Sequence, residues 1–189
     1  MYFRVLMKEV YVTFPIVIEK FKYHDLLKEK LLKAINEQKE FKPLIVNRQN
    51  IERCDWETSR WDEKRKWYKI LREGLHEHLR EWCKYVKYEN FKIHEMWFQQ
   101  YITGGKHAWH THGDNFTNVY YLELPDDGSR TEWIGPITRK THMFDVSEGD
   151  IITFPSWLIH RSPEHLSNNV KTIISWNMSA NINDFYGEK

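Results

Sequence analysis

His110 and His112 stand one residue apart, and His160 closes the run Glu148-Gly149-Asp150-Ile151-Ile152-Thr153-Phe154-Pro155-Ser156-Trp157-Leu158-Ile159-His160 about fifty residues later. These residue types at this spacing read as a divided metal site. Alternate side chains of an extended strand share a face, so His110 and His112 point together into one cavity if the stretch is extended. The third ligand must come from elsewhere. Ser147 to Asp150 reads as a turn that aims the following apolar strand, and His160 with it, back toward the pair. Three imidazoles on one side of an ion leave positions open for substrate and oxygen, the geometry of a non-haem iron centre. A histidine pair at this spacing is by itself more often structural or exposed than ligating, so the downstream context is what singles these residues out.

The elements that must position the three histidines fall into two halves. Asp25 to Lys39 has Leu27, Leu31, Ala34 and Ile35 on one helical face, and a second helix from about Asp62 to Val86 aligns Trp67, Leu71, Leu75, Leu79, Trp82 and Val86. Ser59-Arg60-Trp61-Asp62 suits a capping box, and the charged stretch Asp62 to Arg65 reads as a solvated face. From Phe91 onward the pattern changes to extended segments broken at Gly104-Gly105, Asp126-Asp127-Gly128 and Glu148-Gly149-Asp150, the signature of a mostly antiparallel β structure. The expected fold is mainly β with supporting helices: a double-stranded β-helix, a cupin-like jelly roll, backed by N-terminal helices. One domain over 1–189 is expected, with 1–90 as a helical support region carrying an opening strand and 91–180 as the β-helix core. Pro43 to Cys54 reads as a strand or a loop near the site entrance. The other histidines, at 24, 76, 78, 94, 107, 142 and 165, lack the spacing and turn context of the chosen three, and His107 is expected on the opposite strand face from His110.

Several further motifs stand in a telling order. Gln100-Tyr101-Ile102-Thr103-Gly104-Gly105-Lys106 precedes the histidine pair, Phe116-Thr117-Asn118-Val119-Tyr120-Tyr121-Leu122-Glu123-Leu124-Pro125 follows it, and then come the Gly149-Asp150 turn, Phe154-Pro155-Ser156 and His160. Over roughly Phe91 to Asn177 this order resembles the 2-oxoglutarate and iron(II)-dependent dioxygenase superfamily, in particular its prolyl-hydroxylase-like branch and the oxygenases of that branch found in bacteria and phages. Phe14-Pro15-Ile16-Val17-Ile18 is a weaker match to their opening strand. The resemblance implies iron(II) and 2-oxoglutarate as cofactors and hydroxylation of a C–H bond by O2 with release of succinate and CO2. It implies His110, His112 and His160 as the metal ligands, and Lys171 in place of the arginine that clasps the distal carboxylate of the co-substrate. Arg161 is the less favoured substitute. Tyr101 and Tyr121 match tyrosines that help to bind the same carboxylate.

The chain departs from the family where His112 occupies the place of a metal-binding aspartate. Either the site holds three histidines, or the register shifts and His112-Gly113-Asp114 supplies the His-x-Asp pair. Gly113-Asp114-Asn115 reads as a turn, which favours the first. An imidazole in place of a carboxylate leaves the centre more positive, suiting an anionic co-substrate. A lysine supplies charge without a bidentate fork. Trp109, Trp157 and Trp176 flank the site in sequence and are candidates for its walls, with core filling the commoner use. Arg130 to Thr141 and Asn47 to Arg60 are candidate rim segments for a substrate that is either peptidyl or a small molecule.

Composition narrows the remaining classes. The 189 residues are 41% hydrophobic and 15% aromatic, enough for a core without staples, and the formal net charge of +1 gives no case for nucleic acid or an anionic membrane surface. Cys54 and Cys83 have neither metal-ligand nor disulfide-framework spacing, which fits a reducing compartment and excludes thiolate-bound zinc. Met1 to Lys8 lacks a secretory h-region and no apolar run reaches spanning length, so a cytoplasmic protein of a bacterial or phage-infected cell is expected. Two readings compete with the oxygenase: a three-histidine dioxygenase of cupin type that consumes no keto-acid, and a catalytically silent β-helix used as a binding module.

Overall fold

A computed structural model describes residues 14–38, 50–56 and 65–180 of the chain. Two antiparallel sheets make its body. The larger has the spatial order β1 (Val17–Lys20), β8 (Asp150–Pro155), β5 (Phe116–Glu123), β10 (Lys171–Ala180), β3 (Phe91–Tyr101) and β2 (Arg53–Cys54). The smaller has the order β4 (His107–His110), β9 (His160–Ser162), β6 (Glu132–Ile134) and β7 (Thr141–Met143). Helices α1 (His24–Glu37) and α2 (Lys66–Val86) precede the sheet-forming half. The result is a jelly-roll sandwich with two helices against the outer face of its larger sheet.

Strand periodicity explains why the central strands read as nearly continuous apolar runs. Successive side chains of β3, β5 and β10 point to opposite faces, and both faces are covered. Met96, Phe98, Tyr120, Leu122, Ile174 and Trp176 face the helices, where they meet Leu31, Ile35, Trp67, Leu71, Leu75 and Trp82 in one buried cluster. Trp97, Tyr101, Val119, Tyr121 and Ile173 face the other way, toward the smaller sheet, with Ile152 and Phe154 of β8. The buried residues of α1 and α2 include all those that helical spacing selects except Leu27 and Val86, which pack partly buried at the margin of the same cluster, and α1 closes at Glu37 rather than Lys39.

A buried carboxylate ties the helical half to the sheet. Asp55 is fully buried, and its Oδ2 accepts from Arg65 Nη1 at 3.1 Å and Trp67 Nε1 at 3.0 Å while its Oδ1 accepts the Phe98 backbone N–H at 3.0 Å. Arg65 also donates to the Met96 carbonyl at 2.8 Å. Its placement corrects the expectation of a solvated face, because the Asp55 carboxylate offsets the cost of burying the guanidinium. The proposed capping box at Ser59 to Asp62 lies outside the described residues. So do residues 43–49 of the segment that reads as a strand or a loop; its far end forms β2, at the edge of the larger sheet beside β3.

The turn that feeds β8 depends on a glycine. Gly149 has φ +85°, and a Cβ there would come within 2.9 Å of the His24 ring. Asp150 tightens the same turn by accepting the Ser147 N–H at 2.7 Å. This turn starts the strand that leads to Ser156 and, beyond it, His160. Both cysteines are buried and neither forms a disulfide. No helix among the described residues is long and apolar enough to cross a membrane.

Candidate metal centre

His110, His112 and His160 converge between the two sheets, with one ring nitrogen from each lying within 4.8 Å of the others. β4 pairs with β9 so that His110 sits opposite His160. The strand stops at His110, and His112 follows it in a segment pinned by a hydrogen bond from its own N–H to the Ser156 carbonyl at 2.9 Å. The Phe154-Pro155-Ser156 segment thus anchors the backbone of one histidine while leading the chain on to another.

Two of the rings are fixed by their own backbone. His110 Nδ1 lies 2.7 Å from the Ala108 carbonyl and His160 Nδ1 lies 2.7 Å from the Leu158 carbonyl. A carbonyl can only accept, so each Nδ1 carries the proton and each Nε2 keeps a lone pair. Burial holds His112 down to about 4 and lowers His110 and, further still, His160. The rings are therefore neutral at physiological pH, the state a metal requires of an imidazole. No carboxylate belongs to the group. Asp114 turns instead to His94, whose Nε2 lies 3.7 Å from its Oδ1.

His107 is placed differently from its expected position. It lines the same cavity and stacks on His110 with ring centroids 4.0 Å apart. An odd offset of three would separate the two rings on a regular strand, but the pairing of β4 with β9 slips between His107 and His110, and this irregularity returns both to one face. Burial pulls His107 down to about 3. Gln99 Nε2 stands 3.4 Å from its Nδ1. The signal for Gln99 lay in its parity with Tyr101 on β3, and that for Ser162 in its parity with His160 on β9. The slip at His107 left no such signal.

Farther in, Lys171 begins β10 with 1% exposure. Its Nζ donates to Ser129 O and Ser129 Oγ, both at 2.9 Å, and to Ser162 Oγ at 2.7 Å, and it lies 4.4 Å from the centroid of the Tyr101 ring. Burial first, and Arg130 second, pull its pKa down to about 7. Tyr101 lines the cavity fully buried, and its hydroxyl stands near Ser162 without a well-formed hydrogen bond. Burial pushes that phenol up, so it remains an O–H donor. Tyr121 lies one layer back, where its hydroxyl donates to Thr131 Oγ1 at 2.7 Å and Thr131 in turn lines the cavity. Arg161 lies at the cavity with its Nε on Glu132 at 2.7 Å and its guanidinium over Trp109 at 4.4 Å. Trp157 is half exposed and Trp176 belongs to the helix-side core, so neither walls the cavity.

No family model matches the sequence. Nor does any curated protein. Solved structures do match. A viral collagen prolyl hydroxylase from Paramecium Bursaria Chlorella virus-1, solved with 2-oxoglutarate, superposes with a TM-score of 0.62 at 16% identity over 86% of this chain and 94% of its own. A Pseudomonas putida prolyl-4-hydroxylase gives a TM-score of 0.62 at 16% identity over 87% and 93%. A prolyl hydroxylase from Trichoplax adhaerens, solved with a hypoxia-inducible-factor peptide, gives 0.65 at 15% identity over 92% and 87%. The fold is that of the 2-oxoglutarate and iron(II)-dependent oxygenases. Within an oxygenase fold, the residues of this chain suit both groups in which such proteins deal. Neutral imidazoles with anchored Nδ1 protons suit a divalent ion, and a tyrosine hydroxyl beside a buried lysine suits a carboxylate.

Proposed function

We propose that this protein is a non-haem iron(II) and 2-oxoglutarate-dependent dioxygenase that hydroxylates a peptidyl or small-molecule substrate. One observation carries the reading: three neutral imidazoles converge in a cavity lined by the Tyr101 phenol and by Ser162, behind which the buried Lys171 ammonium donates to the Ser162 hydroxyl, on an oxygenase fold. In this reading His110, His112 and His160 surround the iron, while Lys171 and Tyr101 hold the distal carboxylate of 2-oxoglutarate. Tyr121 supports the same wall through Thr131. Residues 91–180 form the catalytic core, and the helices before them brace the larger sheet. Two buried cysteines outside any disulfide accord with a reducing, cytoplasmic setting.

Iron with 2-oxoglutarate supplies the oxidising power for hydroxylation by O2, with succinate and CO2 as co-products. The chain contributes position and exclusion of water. The Ala108 and Leu158 carbonyls hold the His110 and His160 rings in one tautomer, so no reorganisation is needed to present their lone pairs. Neutral imidazole ligands leave the ion its whole charge, and a dianionic co-substrate is drawn both to it and to the Lys171 ammonium. Tyr101 adds an O–H donor that burial keeps neutral.

Anaerobic titration of the iron(II)-loaded protein with 2-oxoglutarate tests the proposal. A saturable visible charge-transfer band, lost or weakened at least about tenfold in Lys171→Met, is the expected result. Bound iron with no band would exclude keto-acid chelation and leave the three-histidine dioxygenase without a co-substrate. Failure to bind iron at all would leave a silent scaffold.

A further inference from the structure

The three converging imidazoles are not equivalent. His110 and His160 each set Nδ1 against a carbonyl, whereas His112 Nδ1 lies 3.2 Å from Nδ2 of Asn177, a nitrogen that only donates. Two other contacts fix which way that amide faces. The same Nδ2 donates to Glu95 Oε1 at 2.8 Å, and Oδ1 accepts from Thr117 Oγ1 at 3.0 Å. Turning the amide over would set its oxygen against the Glu95 carboxylate, oxygen to oxygen. Asn177 and Thr117 are both almost fully buried, so water does not compete for these bonds. Nδ1 of His112 must therefore accept, and the proton of the neutral ring sits on Nε2. An Nε2 that carries a proton has no lone pair for a metal.

We propose that Asn177, oriented by Glu95, is a positioning residue that presents His112 to the centre as an N–H donor. His110 and His160 then carry the metal, and an oxygen ligand in the third place, either water or a carboxylate oxygen, accepts from His112 Nε2. This rests on the metal-site reading above and deepens it. It also accounts for a histidine at the place of an acidic ligand: the site exchanges a fixed carboxylate for a hydrogen bond to an exchangeable one.

Long-range proton–nitrogen correlation of the histidine rings in nitrogen-15-labelled protein tests the proposal, first metal-free and then with zinc(II). The expected metal-free spectrum shows Nδ1–H tautomers for His110 and His160 and an Nε2–H tautomer for His112. Zinc should shift the Nε2 of the first two and leave the His112 proton in place. In Glu95→Ala the amide is free to turn, so His112 should change to the Nδ1–H form and zinc should bind about tenfold tighter, the scale on which partners of metal ligands act. His112→Ala should cost at least about tenfold less zinc affinity than His160→Ala. An Nδ1–H tautomer at His112 in the metal-free wild type, or coordination shifts on all three rings, would overturn the proposal. Zinc that perturbs none of the rings would defeat the metal-site reading instead, while the metal-free tautomers still decide the role of Asn177.

Discussion

Lys171 is an amine stored where water does not reach, and its three hydrogen-bond partners are all uncharged. With its pKa pulled down to about 7, it is largely neutral at pH 8 in the free protein. A carboxylate brought beside it favours the ammonium and raises that pKa, so binding 2-oxoglutarate must take up a proton. Calorimetric titrations at pH 8 in buffers of different ionisation enthalpy should show uptake approaching one proton, disappearing in Lys171→Met. Affinity should fall as the pH rises above about 7. At the metal, His160→Ala should abolish tight binding, as judged by metal content after dialysis, because its ring is the most deeply buried of the three. Asp114→Ala should leave metal content unchanged, since that carboxylate faces His94. Loss of metal in Asp114→Ala would restore the shifted His112/Asp114 pair.

At the scale of elements, the link that matters most is the one from β2 and α2 to β3 through Asp55. Alanine there would leave the Arg65 guanidinium buried without its carboxylate and the Trp67 and Phe98 N–H groups without an acceptor. A loss of about 3–5 kcal/mol is expected, read as a lower urea midpoint. The three converging histidines lie on the far side of the larger sheet from the helices, so on the proposed reading the residual folded fraction should still bind zinc. The slip between β4 and β9 does different work: it brings a fourth imidazole, His107, onto the cavity wall.

For the whole molecule, four neutral imidazoles in one cavity, His160 buried and the other three partly buried, make stability depend on acid. His107, His110, His112 and His160 all sit below the ordinary histidine value of 6.5, His107 near 3 and His112 near 4. Between about 6.5 and those values the unfolded chain binds protons that the folded chain refuses, so stability rises with pH across this window and is lost as pH falls through it. Urea denaturation of the metal-free protein should therefore show midpoints dropping steadily below pH 6.5. The decline should be shallower in His107→Phe, which removes one of the groups the folded state must keep neutral.

Much of this was legible along the chain because it depends on local periodicity. The apolar stripes of both helices, the change to extended segments after Phe91 and the Gly149 turn follow from side-chain spacing and turn chemistry, which act over a few residues. The family-like order of motifs pointed to Tyr101 and Lys171. What the tertiary structure alone decided is which groups meet. The slip of β4 against β9 that puts His107 beside His110, the burial of Arg65 on Asp55, the tethering of Tyr121 to Thr131 and the amide of Asn177 at His112 all depend on segments that are separate along the chain. Hydrogen bonds and dielectric act through space, so a tautomer or a lowered pKa is fixed only when the strands that carry the partners have paired.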